Sequence, residues 1–319
     1  MKLVTAFFRL IRWPNLVFIV VTQCLFYYCI TIPVFNSYNS VPFMPERLLY
    51  VLIAASVLIA AAGYIINDYF DLNIDRINKP DKLVVEKIIK RRWTIVWHLI
   101  LSFLGIALSF YLSLNLGLLD ILIGVINFIC VIILWVYSTT YKRKLLVGNV
   151  LISALTAWTI FVLYVAEFPH WFKITNEARE NYNSGMVKLF KYTVVYAGFA
   201  FIISLIREVI KDMEDMEGDA RYGCKTMPIV WGVPATKVFT AVWLSVLICA
   251  LTIIQFYALQ VGWWWSAVYC LVTIIAPLIW ILLKLYKAQV AKDYHQLSTV
   301  VKLVMLAGIL SMIFFKIYS

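Results

Sequence analysis

The sequence predicts an all-α membrane protein of nine transmembrane helices, built as two pseudo-repeated four-helix halves plus one further helix. Three observations predict it. Of the 319 residues, 63% are hydrophobic and only 14% charged, where soluble domains carry roughly half and a quarter. Span-length apolar runs recur along the chain, and the basic residues crowd onto alternate connections between them.

A helix needs roughly 20 apolar residues to cross the hydrocarbon core. Runs of that kind occupy 13–33, 47–66, 93–113, 117–137, 146–166, 188–207, 236–258, 263–283 and 297–317. Lys2, Arg9 and Arg12 precede the first run as they would in a leader. No Ala-x-Ala pattern follows and the run is span-length, so it is read as the first helix. Short connections near Asn115 and Gln260 require antiparallel neighbours, and the polar segment 167–187 is expected as an extramembrane loop. Residues 1–319 read as one polytopic domain.

Of the 28 Lys and Arg residues, 21 fall on one set of loops. The positive-inside preference then makes the protein an integral, multi-pass membrane protein with its N-terminus cytoplasmic and its C-terminus outside, the cell membrane being the expected site. The net charge of +11 is spread over loops rather than gathered on one surface, which argues against nucleic acid as a partner. The six cysteines include no Cys-x-x-Cys, and five lie inside apolar runs as small hydrophobes. Trp263, Trp264 and Trp265 read as an interfacial belt.

Two acidic motifs interrupt this pattern. Asp68, Asp71 and Asp75 follow the second run at i, i+3 and i+7, one face of a helix if the helix continues. Asp212, Asp215 and Asp219 repeat that spacing after the sixth run. Carboxylates striped at a membrane border repel one another unless a cation or open water compensates, and both triplets fall on the cytoplasmic side. A cation-coupled transporter instead predicts acids near the midplane on broken helices. With the Asn67 amide, every candidate ligand is an oxygen donor, which selects a hard cation. Mg²⁺ suits one or two carboxylates with a shell completed by water and phosphate. A Mg²⁺ site beside a bilayer suggests a substrate with a phosphate head and a lipid tail. Lys142 and Arg143 after span four, Arg207 and Lys211 on the second motif's helix, and Lys225 beyond it supply cations for that head. Glu208 lies on the carboxylate face, whereas Glu214 and Glu217 read as solvated.

These residues resemble the UbiA superfamily of intramembrane prenyltransferases. The likeness rests on Asn67-Asp68-x-x-Asp71-x-x-x-Asp75, on Asp212-x-x-Asp215-x-x-x-Asp219, and on Tyr137-Ser138 with Lys142-Arg143. The resemblance implies nine helices around a central cavity and a reaction in which Mg²⁺ on the two motifs holds a prenyl diphosphate. Ionisation of its allylic C–O bond gives a carbocation that an acceptor captures. It implies Asn67, Asp71, Asp215 and Asp219 as direct metal ligands, with Asp68, Asp75 and Asp212 binding a second ion or orienting the others. Asp71, Asp215, Lys142 and Arg207 become the catalytic set. Tyr137, Lys142, Arg143, Arg207, Lys211, Lys225 and Lys82 become the substrate-binding set. The run from Arg207 to Pro228 is most similar to a branch that transfers geranylgeranyl to geranylgeranylglyceryl phosphate; an aromatic quinone, haem or chlorin precursor is the alternative acceptor. Lys82 stands where many relatives carry Arg, and an ammonium is not a planar fork.

Overall fold

The computed structural model describes residues 2–78, 80, 83–116, 121–168 and 176–318, with the side chains of Lys2 and of 176–178 left aside. Nine helices among the described residues are long and apolar enough to cross a membrane. The spans, one to nine in order, are Trp13–Asn36, Glu46–Asn78, Arg91–Leu116, Ile121–Thr139, Val147–Glu167, Arg179–Glu214, Gly232–Gln260, Trp264–Lys287 and Ala291–Tyr318. No strand occurs among the described residues, only an isolated bridge between Val85 and Ile89.

Two departures from the expected boundaries bear on the site. Span two runs as one helix from Glu46 to Asn78, so the first acidic motif is helical throughout. The helix of span six begins at Asn176, inside the segment expected as a loop. That segment is polar on average, yet Tyr182, Met186 and Leu189 recur at i, i+4 and i+7 and are buried. Periodicity rather than mean hydropathy makes it helical.

The chain forms two compact units. The first comprises Met1–Cys24, Val34–Lys142 and Thr159–Thr193; the second comprises Leu25–Pro33, Arg143–Trp158 and Val194–Ser319. Spans one, five and six therefore contribute to both.

In the first unit, spans two and three pack closely because Gly105 lets them. A Cβ there would lie 2.7 Å from Ile59 Cγ1 and 3.3 Å from the Ala55 carbonyl oxygen. Between membrane helices there is no hydrophobic drive, so association depends on such small-residue contacts and on hydrogen bonds. The bonds are present. His98 Nδ1 lies 2.9 Å from the Ala62 carbonyl, and Asn127 Nδ2 donates to Ser109 Oγ at 2.9 Å. Gln23 Nε2 donates to Thr159 O at 2.9 Å and to Ser56 Oγ at 3.1 Å, tying spans one, five and two. An amphipathic helix, Lys2–Leu10, buries Ala6 and Leu10 with Leu16, Ala61, Ile65, Val84, Val85 and Ile89. This packing holds the segment after the first motif against span two.

In the second unit, four spans share one core. Ile203, Ile206, Ile210 and Met213 of span six meet Ile274, Leu278, Ile281 and Leu285 of span eight and Tyr294, Leu297, Val301 and Val304 of span nine, with Leu244 and Leu247 of span seven. Each set steps by three and four, one helix face. Gly262, at φ +84°, reverses the chain between spans seven and eight, a conformation open to glycine at no steric cost. Trp264 and Trp265 are exposed as a belt would be, whereas Trp263 stacks on Tyr318 with centroids 5.2 Å apart.

Gly105→Val should overpack the contact of spans two and three. The expected loss is about 1–3 kcal/mol, read as a lower thermal midpoint in detergent, with Gly105→Ala falling between it and wild type.

Candidate active site

Span two carries its apolar run to Ile66 and continues helically, so Asn67 and Asp71 stand one turn apart on one face. Asn67 Nδ2 donates to Asp71 Oδ2 at 2.7 Å. The short turn Tyr141–Arg143, just past span four, delivers Lys142 to the same place. Its ammonium forms an ion pair with Asp71 Oδ2 and lies 3.4 Å from Asn67 Oδ1. Asp71 is 5% exposed, so its charge requires this partner. Burial works against the charge on Lys142, but Asp71, aided by Tyr137 and Asp75, more than offsets it and raises the pKa. Lys142 thus stays an ammonium at neutral pH.

Asp68 has a different cation. Arg12 Nη2 donates to Asp68 Oδ1 at 2.6 Å, and its guanidinium sits 5.2 Å from the Tyr64 ring centroid. Asp68 chiefly raises the Arg12 pKa. Arg12 adopts φ +51°, a left-handed conformation unusual outside glycine, between the N-terminal helix and span one. The sequence marks Arg12 only as one of three basic residues before the first span. Nothing in its spacing separates it from Arg9; only the packing of the N-terminal helix on span two does.

The second motif is built otherwise. Its helix stops at Glu214, Asp215 takes φ −93° and ψ 5°, and a short helix resumes over Met216–Arg221. The expected straight stripe is therefore bent at its middle member. Asn149 Nδ2, in the first turn of span five, donates to Asp212 Oδ2 at 2.8 Å. Asn149 was missed, although a buried amide beside Gly148 in an apolar run is a signal in itself. Arg207 Nη1 donates to Glu208 Oε1 at 2.9 Å, and Lys211 Nζ lies 3.7 Å from the same oxygen. Arg207 Nε is buried with no acceptor among the described residues, a donor left for something else. Asp219 is 7% exposed and its carbonyl accepts from the Cys224 N–H at 3.0 Å. The Lys225 N–H donates to the Arg143 carbonyl at 2.8 Å, so these two exposed cations are neighbours.

Glu217, exposed and paired with Arg221, is solvated as expected. Glu214 corrects the expectation. Its side chain is 13% exposed and lies 2.7 Å from His295 Nδ1, because the core face of span six brings it against span nine. Lys82 lies outside the described residues.

No group of three His, Cys, Asp or Glu side chains among the described residues is arranged to hold a metal ion unaided. The donors nonetheless suit Mg²⁺, since Asn67 and the Asp residues offer only hard oxygens and Mg²⁺ completes its shell with water and substrate phosphate.

Residues 16–308 match the model of the UbiA prenyltransferase family. The chain belongs to that family. This UbiA chain is 31% identical over 256 residues to a digeranylgeranylglyceryl phosphate synthase of Methanosphaera stadtmanae, covering 78% of this chain and 81% of the relative. Two solved structures share the fold. One, a study of digeranylgeranylglyceryl phosphate synthase in membranes, has a TM-score of 0.61 at 23% identity and covers 98% of this chain and 99% of its own. The other, a UbiA homologue from Archaeoglobus fulgidus bound to GPP and Mg²⁺, has a TM-score of 0.54 at 13% identity, covering 96% and 99%. The UbiA protein described here is thus a prenyltransferase, an integral membrane protein of many spans.

Lys142→Met removes the cation from Asp71. The expected loss is about 1–3 kcal/mol, below the full cost for a buried pair because Lys142 is partly exposed. Adding Asp71→Asn should recover part of it in a double-mutant cycle of unfolding in detergent; strict additivity would rule out the pair as a stabilising contact.

Proposed function

We propose that this prenyltransferase moves a geranylgeranyl group from geranylgeranyl diphosphate to the free hydroxyl of geranylgeranylglyceryl phosphate, with Mg²⁺. The observation that carries the reading is the buried Asp71, bound by Lys142 and Asn67 where an apolar helix meets water. The names of the curated relatives support the acceptor.

In this reading Asn67, Asp71, Asp215 and Asp219 hold the metal, while Asp68, Asp75 and Asp212 orient them or take a second ion. When bound, Mg²⁺ neutralises charge on the diphosphate as a Lewis acid. Lys142, Arg207 and Lys211 meet the charge that develops on the leaving diphosphate as the allylic C–O bond breaks. The Arg207 Nε–H, without an acceptor among the described residues, is a donor suited to a phosphate oxygen. Tyr137, Arg143, Lys225 and Lys82 complete the phosphate contacts. Apolar helix faces exclude water, which protects the allylic cation until the acceptor hydroxyl oxygen captures it and gives up its proton to the released diphosphate. The acidic motifs face the cytoplasm in the cell membrane, as the basic loops indicate.

Purified protein given labelled geranylgeranyl diphosphate, Mg²⁺ and geranylgeranylglyceryl phosphate should release diphosphate and form the diether. Chelation should abolish turnover and Mg²⁺ restore it. Transfer to an aromatic acceptor only would overturn the acceptor assignment. Asp71→Ala and Asp215→Ala should each lower turnover by at least about 100-fold, the scale of losing one electrostatic contact to a transition state. A cysteine placed at Arg221 in a cysteine-free background should react with an impermeant reagent in inverted vesicles. Reaction in intact cells instead would reverse the orientation.

A further inference from the structure

Glu214 adjoins a member of the second acidic motif, yet it faces elsewhere. Its Oε1 is 2.7 Å from His295 Nδ1, and its Oε2 accepts a longer bond from Ser298 Oγ at 3.5 Å. His295 and Ser298 are three apart on span nine, one face of that helix, and the single Ser298 hydroxyl proton is shared between Glu214 Oε2 and the nearer His295 carbonyl at 3.2 Å. The anchor is firm. Asp293 caps the start of this helix, accepting from the Gln289 N–H at 2.9 Å and the Val290 N–H at 3.3 Å. Tyr294 and Leu297 sit in the core with Met213 and Ile210 of span six. Apolar packing therefore holds the two helices together at Met213, and a polar grip holds the next residue.

The next residue after that is Asp215, where the helix leaves its axis. What holds the residues just before that point sets the direction in which the motif continues. Glu214 is the last helical residue before Asp215, so its tie to span nine bears directly on where that carboxylate is carried. We propose that the Glu214–His295–Ser298 grip is a positioning clamp, which fixes the angle at which the second motif presents its carboxylates to Mg²⁺–diphosphate. This inference rests on the metal-binding reading above. His295 and Ser298 touch no substrate in this account; they act through Glu214.

The test is equilibrium binding of a non-ionising thio-diphosphate analogue of geranylgeranyl diphosphate at graded Mg²⁺, together with kinetics and thermal unfolding in detergent. His295→Ala should raise the Mg²⁺ concentration for half-saturation by about 2–12-fold, the range of one lost hydrogen bond. His295→Asn places an amide N–H where Nδ1 stood and should restore at least half of that loss; a purely steric role for the ring predicts no rescue. Ser298→Ala should show a smaller shift in the same direction. The His295→Ala effect should fall on the apparent KM for the Mg²⁺–diphosphate more than on kcat at saturating Mg²⁺. Unchanged Mg²⁺ dependence in His295→Ala, with wild type binding normally, would overturn the clamp alone. Absence of Mg²⁺-dependent binding in wild type would overturn the metal reading and the clamp with it. A His295→Asn protein as impaired as His295→Ala, at equal thermal stability, would also refute it.

Discussion

A carboxylate at the edge of a bilayer persists only where its charge is met, and the ion pair of Asp71 with Lys142 meets it. Much of the first unit can be understood as what that pair requires. Span two must stay helical beyond its apolar run, or Asn67 and Asp71 would not share a face. Span four must end in the tight turn that carries Lys142 back. The N-terminal helix and the buried Val84, Val85 and Ile89 must pack on span two to keep the segment after the motif in place. The small-residue contact at Gly105 and the polar ties of Gln23, His98 and Asn127 hold the helices at the separation this geometry needs.

The second unit meets the same electrostatic requirement with different parts. Its cations, Arg207 and Lys211, lie on the motif's own helix and share Glu208. Its first aspartate accepts from an amide, Asn149. Its helix bends at the second aspartate where the first motif's helix runs straight. Equal sequence spacing has therefore produced two unequal arrangements. In the first, a cation from another segment of chain neutralises a carboxylate directly; in the second, a guanidinium N–H has no acceptor among the described residues.

The nine spans were legible because membrane insertion is read from hydropathy and length, and those properties are local. The acidic stripe was legible because charge at a membrane border is rare enough to be informative. The residues that were missed share a different origin. Arg12, Asn149 and Glu214 acquire their roles from contacts across |i−j| of 56, 63 and 81, and periodicity carries no information about such pairs. Glu214 shows this best. On a helical wheel it points away from the carboxylate face and reads as solvated. It is held instead because Met213 belongs to a core face that brings span nine within reach. The helical start of span six was missed for the converse reason, as Tyr182, Met186 and Leu189 give a clear period inside a segment whose average polarity hides it.

The Lys142 pair also bears on why a lysine rather than an arginine stands there. On the proposed reaction, Asp71 must exchange its partner when substrate arrives, and the cation it releases must then face a phosphate oxygen. A guanidinium bound in bidentate fashion would hold a carboxylate through two fixed bonds and resist that exchange. An ammonium is a single compact charge on a flexible stem, and the Asn67 oxygen 3.4 Å away offers it a second acceptor as it moves. Asn67 is thus well suited to a double role, donating to Asp71 through Nδ2 while its carbonyl oxygen stays turned to the cation. The amide keeps both partners in register without adding a charge of its own, which another aspartate at that position would do. The first motif accordingly begins with Asn where the rest of its stripe is Asp.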